Sequence, residues 1–240
     1  MDTGATAAAA AAAAAAAHAA RLAGESANAE VSGPSWFLLK GLLTPEHQHR
    51  LFSFLHERDA TDWEHLSPCM NPTPKTLALR QQHGAQSAPV LSFGPNDEVA
   101  VVEMVQRASE AIGWRRAIKS LTVAAIRYCA SGRHPCIGSC FPPHIDHCND
   151  GSWVFLFSLG CAAFFQIKTP GMAERHTFEM KSGDALIFDP SSEAAVLHGV
   201  DGVACCAEEA ASAGEAELGR DFEDLRQSRF GVQCRVSLVE

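Results

Sequence analysis

The sequence predicts an α+β fold, mainly β, in which N-terminal helices pack on a jelly-roll core of two curved sheets. Two observations predict it. Two amphipathic helical segments lie in the first half of the chain, and from residue 121 onward the chain changes to short apolar segments separated by turn residues. Helices followed by about seven strands are typical of folds in which the helices cover one face of a sheet.

The 240 residues are enough for one domain of ordinary size with flexible ends. Residues 1–33 are of low complexity, with an unbroken run of alanine at 7–17, and we predict that they are disordered or irregularly helical. Residues 34–240 are predicted to form the folded domain. Within it, residues 202–227 are acidic and rich in Ala and Glu, so they are predicted to be a loop insert with a short surface helix.

The N-terminal part of the folded domain is predicted to contain a strand and a helix. Trp36–Leu39 is an apolar run that predicts the strand. Thr44 and Pro45 predict the helix start, because threonine is a good N-cap and proline suits the first helical position. The apolar face of this helix is predicted to consist of Leu51, Phe52 and Leu55. Residues 61–96 are rich in Pro, Gln, Ser and Asn and predict a long loop with one short hairpin.

A second helix is predicted to start at Asn96 or Asp97, either of which could cap it, and to stop at Gly113. Its predicted buried side chains are Val99, Val102, Met104, Val105 and Ile112.

Short β segments fill the rest of the chain. The predicted strands are 121–129, 142–146, 153–159, 161–167, 177–180, 185–188 and 230–238. The third and fourth of them are predicted to pair with each other about Gly160. Ser182-Gly183-Asp184 predicts a turn between two later strands.

The charge distribution limits the partners that the sequence predicts. The net charge is −9, of which residues 1–32 and 33–200 carry −2 each and residues 201–240 carry −5. A near-neutral folded body does not predict a strong non-specific grip on nucleic acid. The basic residues Arg115, Arg116 and Lys119 form a local strip that could steer a phosphate chain or be a solvated helix end.

The nine cysteines show no spacing typical of a disulfide framework. We therefore predict an intracellular, reducing compartment, either cytoplasm or nucleus, with an organelle left open. A zinc site made of Cys136, Cys140 and Cys148 would have an unfamiliar spacing, so ordinary thiols are the preferred interpretation. No secretory signal is predicted in the alanine tract, and outside that tract no apolar run reaches the length of a membrane span.

The candidate metal site is the motif His144-Ile145-Asp146, followed 54 residues after its histidine by His198. Residues two apart on a strand face the same side, so His144 and Asp146 can reach one ion. Two imidazoles and one carboxylate form the usual ligand set of non-haem Fe(II) oxygenases and leave open positions, one of them for O2. His198 is expected at a rim, after a polar loop. His147 and His176 are extra histidines that such a site does not need.

Two arginines follow the second histidine of this set. Arg229 and Arg235 are six apart on the last predicted strand, so both side chains are expected on one face. Burying two guanidinium groups is costly without a carboxylate partner, and 2-oxoglutarate offers a carboxylate at each end. Tyr128, the only tyrosine, could donate a hydrogen bond to the same cosubstrate or be an ordinary core aromatic residue.

A longer series of motifs occurs in a recognisable order. The motifs are Ile126-Arg127-Tyr128, Gly132, His144-Ile145-Asp146, Ser158-Leu159-Gly160, residues 182–188, His198-Gly199-Val200, and Arg229 with Arg235. In this order the chain resembles the AlkB-like family, from about Trp36 to the C-terminus and most strongly from Leu121 onward. The resemblance implies a double-stranded β-helix core, Fe(II), 2-oxoglutarate, and oxidation of alkyl groups such as N-methyl groups on nucleic acid bases.

The resemblance also implies a role for each candidate residue. The iron ligands would be His144, Asp146 and His198. Arg229 would pair with the far carboxylate of 2-oxoglutarate, and Tyr128 would contact the same molecule. Arg235 would lie near the metal-side carboxylate or the substrate.

Three features bear on how far the resemblance extends. Ile126 and Gly231 stand where the family has asparagines, and residues 202–227 lengthen the segment between His198 and Arg229. Arg235-Val236-Ser237 also resembles an Arg-x-Ser pattern of other 2-oxoglutarate oxygenases, which leaves Arg235 open as the main cosubstrate anchor.

We therefore predict an Fe(II)- and 2-oxoglutarate-dependent dioxygenase, with alkylated DNA or RNA as the first candidate partner by family analogy and no association with a membrane. A protein or small-molecule substrate is the alternative within the same class. A non-catalytic binding module or a metal-free structural protein on the same fold is the alternative outside it. Several phenylalanines could stack on a flipped base, although core packing explains them as well. They are Phe155, Phe157, Phe164 and Phe165.

Overall fold

The computed structural model of the protein describes residues 29–33, 35–56, 64–65, 75–80, 95–129, 140–204 and 228–239. The helices are α1 (Pro45–His56) and α2 (Pro95–Ala111). The first six strands are β1 (Ala29–Gly33), β2 (Trp36–Leu39), β3 (Glu64–His65), β4 (Lys75–Arg80), β5 (Ile118–Cys129) and β6 (Phe141–His144). The others are β7 (Ser152–Gly160), β8 (Ala163–Lys168), β9 (His176–Met180), β10 (Ala185–Phe188), β11 (Leu197–Val203) and β12 (Ser228–Leu238).

The strands form two antiparallel sheets. The major sheet has eight strands in the order β1-β2-β10-β7-β12-β5-β4-β3, and the minor sheet has four in the order β6-β11-β8-β9. From β6 to β12 the chain passes back and forth between the two sheets, and β8 and β9 are the one consecutive pair that lies in the same sheet. This winding is that of a jelly roll. The predicted fold class, α+β with a jelly-roll core and helices packed on the sheet, is confirmed.

The two faces of the major sheet contact different partners. One face packs against α1 and α2, and the apolar cluster there includes Phe52, Val105 and Phe230. The other face packs against the minor sheet, and the apolar cluster there includes Leu156 and Phe165. The helices therefore close one side of the major sheet, and the space between the two sheets is left for the candidate site.

Helix α1 starts where the sequence predicts. The backbone N–H of His47 donates to the side-chain oxygen of Thr44 at 3.3 Å, and the carbonyl of Thr44 accepts from the N–H of Gln48. Thr44 is thus the N-cap, and Pro45 occupies the first helical position. The three predicted apolar side chains of this helix, Leu51, Phe52 and Leu55, are all buried.

Helix α2 begins at Pro95, earlier than either predicted cap allows, because the fixed φ of proline suits a first helical position. Its C-terminal turn matches the prediction, since the N–H of Gly113 donates to the carbonyl of Glu110 at 2.9 Å. Three of the predicted core residues are buried, and Val102 is partly buried. The buried three are Met104, Val105 and Ile112. The side chain of Val99 is outside the described residues.

The predicted pairing of the strands on either side of Gly160 is wrong. Strand β7 pairs with β10 and β12 in the major sheet, and β8 pairs with β9 and β11 in the minor sheet. Gly160 has φ of 79°, a left-handed conformation that glycine adopts without steric cost, and the chain crosses between the sheets there. Two apolar runs joined by a glycine predict two strands, but they do not predict that the strands are neighbours.

Two strands are absent from the sequence-based expectation. Ala29–Gly33, within the segment predicted to be of low complexity, forms β1 and pairs with β2, so the described fold begins before Trp36. Leu197–Val203 forms β11, and His198 is its second residue, directly after the loop that the sequence predicts. The predicted short hairpin between residues 61 and 96 is present as β3 and β4.

Some expectations fall on residues outside the described ranges. They include most of the alanine-rich segment and most of the acidic insert, 205–227, with its predicted surface helix. Among the described residues, no helix is both long and apolar enough to cross a membrane.

Candidate active site

Strands β6 and β11 bring the two candidate histidines together. His144 and His198 are register partners in this antiparallel pair, and their ring centroids are 4.4 Å apart. The close approach depends on Gly199, because a Cβ there would lie 2.8 Å from the carbonyl oxygen of Phe141 and 2.9 Å from backbone atoms of Pro143. Real Cβ atoms do not approach backbone so closely. A side chain at position 199 would push β6 away and separate the histidines.

Asp146 completes the cluster from the loop that follows β6. One carboxylate oxygen, Oδ1, lies 3.4 Å from Nε2 of His144 and 3.8 Å from Nε2 of His198. The ligand atoms of the three residues all lie within 4.8 Å of one another. Oδ2 accepts a hydrogen bond from Nη2 of Arg235 at 2.9 Å. Arg235 therefore holds one oxygen while the other faces the imidazoles.

Both imidazoles are oriented by the backbone. Nδ1 of His144 lies 3.0 Å from the carbonyl oxygen of Pro142, and Nδ1 of His198 lies 3.1 Å from that of Val196. Because a carbonyl can only accept, each Nδ1 carries the proton in the neutral ring and donates it. Each Nε2 then presents a lone pair toward Asp146, which is the orientation of metal-binding histidines.

The surroundings shift the pKa values of the three groups in different directions. Burial, followed by the charge of His144, lowers the pKa of His198 to about 4, so this ring is neutral at physiological pH. Burial alone would lower the pKa of His144, but the protonated ring can donate from Nε2 to Asp146 and from Nδ1 to the Pro142 carbonyl, and these hydrogen bonds raise the pKa above its ordinary value. Burial opposes ionisation of Asp146, yet the hydrogen bond from His144 and the charges of His198 and Arg235 lower its pKa.

A cavity between the sheets opens beside this cluster. Its volume, including the open mouth, is about 500 Å³. The lining includes His144 and His198 of the cluster and three other side chains that can form hydrogen bonds, Tyr128, Arg229 and Gln233. Two glycines, Gly199 and Gly231, also lie on the wall. The rest of the lining is mainly apolar and comes from both sheets: Ile126, Phe141, Val154, Leu156, Phe165, Phe188 and Val200.

Arg229 is the charged group of this cavity, and it is almost completely buried, with 1% of its surface exposed. Its guanidinium contacts the carbonyl oxygen of Met180 at 3.4 Å and the Met180 sulfur at 3.7 Å, and its Nε has no hydrogen-bond partner. Among the described residues it forms no ion pair. Burial lowers its pKa to about 10, because desolvation penalises the charged form, and it stays charged at neutral pH.

Tyr128 lies next to Arg229 on the neighbouring strand, where the two residues are register partners. The guanidinium carbon lies 5.9 Å from the centre of the phenol ring. Burial raises the pKa of Tyr128 to about 12, although the charge of Arg229 opposes the rise. The hydroxyl therefore keeps its proton and remains a donor.

The structure thus brings all six predicted site residues to one place, as two neighbouring groups. Asp146, His144, His198 and Arg235 form the cluster, and Arg229 with Tyr128 lies on the cavity wall. Other predicted alternatives lie elsewhere. His147 is exposed and bonds Ser192, and His176 packs on Trp36.

The remaining sequence alternatives are placed as follows. Cys140 and Cys148 are free thiols outside the His–Asp–His cluster, and Cys136 is outside the described residues. Arg115, Arg116 and Lys119 are exposed. Phe155 and Phe157 lie in the core under the helices, and Phe165 lies between the sheets, so packing explains them.

Sequence reasoning missed Gln233, which lines the same cavity. The signal was present, because the alternation that places Arg229 and Arg235 on one face of β12 also places Gln233 there. Gly231 was noted as a departure from a family pattern, but its position on the cavity wall was not predicted.

Comparison with known proteins supports the fold. No protein-family model matches the chain, and no curated protein matches it. A prolyl-4-hydroxylase structure from Pseudomonas putida has a TM-score of 0.52 at 11% identity, over 94% of this chain and 100% of that one. OsALKBH1 has a TM-score of 0.55 at 16% identity, over 86% of this chain and 99% of that one.

A third similar structure is an oxidoreductase of the 2OG-Fe(II) oxygenase family from Burkholderia pseudomallei. Its TM-score is 0.56 at 13% identity, over 93% of this chain and 90% of that one. At such low identities these similarities establish the architecture alone. The chain has the double-stranded β-helix fold that these oxygenases share.

Proposed function

We propose that the chain is an Fe(II)- and 2-oxoglutarate-dependent dioxygenase. The observation that carries the proposal is the buried Arg229 guanidinium, which forms no ion pair among the described residues and lines the same cavity as the His–Asp–His cluster. A metal cluster alone or a buried arginine alone has several explanations. Together they supply what a metal-chelating dicarboxylate needs, which is a metal ion for one end of the molecule and a cationic partner for the carboxylate at the other end.

The donor set fits Fe(II). Two neutral imidazole nitrogens and one carboxylate oxygen, supplied by His144, His198 and Asp146, leave the remaining positions of an octahedral ion open. Arg235 would hold Oδ2 of Asp146 so that Oδ1 is free to bind the ion.

The cavity wall fits a dicarboxylate. The unpartnered Nε of Arg229 and its long contacts to Met180 leave the guanidinium able to bind a carboxylate in a bidentate manner. Tyr128, which stays protonated, can donate to the same carboxylate. Gly231 leaves the volume of a side chain empty on the cavity wall, since a Cβ there would meet only ordinary contacts, 3.4 Å from Leu156 and 3.8 Å from Tyr128. Arg229 is our proposed anchor of the far carboxylate, and Arg235 our proposed support of the metal end.

When iron and 2-oxoglutarate are bound, they would supply, with O2 as the oxidant, oxidative decarboxylation coupled to hydroxylation of a substrate C–H bond, so that one oxygen atom of O2 enters succinate, the other enters the hydroxyl group, and CO2 leaves. The residues of the chain contribute orientation and a dry environment. Val154, Leu156 and Phe188 exclude water from the space beside the histidines. The low polarity around Arg229 strengthens its attraction to a carboxylate. Because Arg229 would hold one end of the dicarboxylate and the metal ligands the other, their positions set the direction in which the molecule lies.

For the substrate we propose an alkylated nucleic acid, with an N-methyl group as the carbon that is hydroxylated. An N-hydroxymethyl product loses formaldehyde and leaves the bare amine. The order of motifs from Tyr128 to Arg235 and the similarity in fold to OsALKBH1 support this choice. A protein substrate is the second candidate, favoured by the similarity to a prolyl-4-hydroxylase and by the near-neutral charge of residues 33–200.

The class of reaction is tested by iron binding and by succinate formation. We expect the wild-type protein to bind one Fe(II) and to form succinate from 2-oxoglutarate. The double variant His144→Ala with Asp146→Ala should do neither. His147→Ala is the matched control, because His147 is an exposed neighbour outside the cluster and should leave both measurements unchanged. Equal iron binding by the double variant and the wild type would contradict the proposal.

The substrate is tested separately. Methylated DNA and RNA oligonucleotides are incubated with the protein, digested to nucleosides and analysed for loss of the methyl group and release of formaldehyde. A proline-containing peptide library is analysed in parallel for addition of one oxygen. Demethylated nucleosides would support the first candidate, and oxidised peptides without demethylation would replace it with the second.

A further inference from the structure

The cavity wall between the two arginines contains one more polar side chain, Gln233. We propose that Gln233 is a positioning residue that donates its amide N–H to the carboxylate of the bound dicarboxylate nearest the metal ligands. This inference rests on the proposed function, and it assigns to Gln233 a share of the affinity for 2-oxoglutarate.

The position of Gln233 on β12 supports this role. Residues 229, 231, 233 and 235 share one face of the strand, and three of them line the cavity. Gln233 is four residues from Arg229, about 13 Å along the strand, and two residues from Arg235, about 7 Å. It therefore lies on the side of Arg235, whose guanidinium bonds Asp146. A ligand that reaches from Arg229 toward the metal cluster passes Gly231 and then meets Gln233.

The amide of Gln233 has no hydrogen-bond partner among the described residues, although it is only partly exposed. Two other glutamines show the usual behaviour. Gln48 donates to the Leu43 carbonyl and accepts from Ser182, and Gln166 bonds both Arg175 and Asp201. An amide offers two donors and one acceptor oxygen, and a partly buried amide is normally satisfied. The donors of Gln233, which bond no described residue, therefore line a cavity that the proposed ligand would occupy.

The neighbours of Gln233 offer no competing side-chain partner. Its register partners on the adjacent strands are Ala124 and Leu156, and Ile126 and Val154 also border this part of the structure. The side-chain donors that line the cavity are Tyr128, Arg229, Gln233 and the two histidines. Since the histidines are the proposed metal ligands and Tyr128 lies beside Arg229, Gln233 is the donor left for the other end of the ligand.

The test measures binding of 2-oxoglutarate by calorimetry, without O2 and with Fe(II) present. Gln233→Met keeps the length of the side chain and removes its hydrogen bonds, and we expect affinity to fall about tenfold to a hundredfold. Gln233→Glu keeps the shape and adds a negative charge, so its affinity should fall further. Arg229→Met reports on the proposed function itself. Gln106→Met and Gln106→Glu, at an exposed position on α2, are matched controls that should bind as the wild type does.

A second readout separates positioning from a structural effect. The charge-transfer absorption band of the anaerobic Fe(II)–2-oxoglutarate complex should shift in Gln233→Met at saturating 2-oxoglutarate. A damaged fold would lower the melting temperature instead. If Gln233→Met fails to fold, Gln233→Glu, which has the same shape, decides the question.

The outcomes are distinguishable. Suppose that the wild type binds 2-oxoglutarate and that Arg229→Met loses this binding. An affinity within twofold of wild type in either folded Gln233 variant would then overturn the role of Gln233 and leave the proposed function intact. No binding of 2-oxoglutarate by the wild type would overturn both. Weaker binding in both Gln233 variants with a shifted band would support the inference.

Discussion

The two faces of β12 differ sharply in the side chains that they carry. One face carries Phe230, Val232, Cys234 and Val236, all buried in the cluster under the helices. The opposite face carries Arg229, Gly231, Gln233 and Arg235, which lie at or near the cavity and the His–Asp–His cluster. Side chains alternate between the faces with a period of two, so one strand supplies the apolar core and the candidate site in alternate positions.

This difference predicts that stability and ligand binding can be changed separately on one strand. The apolar face is expected to contribute free energy of folding through burial. The polar face places the buried charge of Arg229, whose Nε has no hydrogen-bond partner, where it opposes folding until a ligand arrives. The predictions below test whether the two faces behave independently.

The largest expected effect on stability is on the apolar face. Phe230 is buried and packs edge-to-face on Phe52, with ring centroids 5.7 Å apart. Phe230→Ala should lower the free energy of unfolding by about 3–5 kcal/mol because it leaves a cavity. Denaturation with urea measures the change, and calorimetry should show that the folded protein still binds 2-oxoglutarate as the wild type does. A parallel loss of affinity would show that the faces are coupled.

On the polar face, Arg229→Met should have the opposite pattern to Phe230→Ala, since it should weaken ligand binding without lowering stability. The pKa of Arg229 in the folded protein, about 10, is below its ordinary value of 12.5, so the buried charge destabilises the ligand-free fold at every pH below about 10. The size of this effect is about 3 kcal/mol.

Arg229→Met removes that charge, and we expect the ligand-free variant to unfold at the same or a higher denaturant concentration than the wild type. Its affinity for 2-oxoglutarate should fall by about 2–5 kcal/mol, because the carboxylate loses a buried partner. Arg229→Lys, which keeps the charge without the bidentate geometry, is the matched control. A strongly destabilised Arg229→Met variant would show that Arg229 is a structural residue.

The smallest expected effect is at the other end of this face. Arg235→Met should lower the affinity for Fe(II) about tenfold to a hundredfold, because Asp146 loses the partner that orients it. Stability should change little, since the Arg235 side chain is partly exposed. Metal titration of the ligand-free protein gives the affinity. Arg50→Met, at an exposed ion pair on α1, is the control. If Arg235→Met binds iron as tightly as the wild type does, Arg235 does not support the metal site, and the polar face contributes to ligand binding only near Arg229.

Much of the candidate site could be predicted because its signals are local. The spacing of Arg229 and Arg235 determines their common face, and the spacing of His144 and Asp146 allows both to reach one ion. The start of α1 was predictable for the same reason, since Thr44 and Pro45 act on the adjacent turn. Such signals need only the neighbouring residues.

The remaining features depend on contacts between distant parts of the chain. Strand β11 contains two glycines and an aspartate, which do not favour a strand, and it forms because β6 and β8 pair with both of its edges. Strands β7 and β8 are predominantly buried, so their apolar patterns do not identify their partners. Gln233 was overlooked because its neighbours in sequence do not show that its amide lacks a partner.

The isolated charge of Arg229 has a consequence for the lifetime of the protein. If 2-oxoglutarate neutralises that charge, the ligand stabilises only the folded state, and its concentration then sets how often the chain opens. Proteases cut the opened chain, so degradation should slow when the metabolite is abundant and accelerate when it is scarce. A single guanidinium would in this way couple the abundance of the protein to the metabolic state of its surroundings.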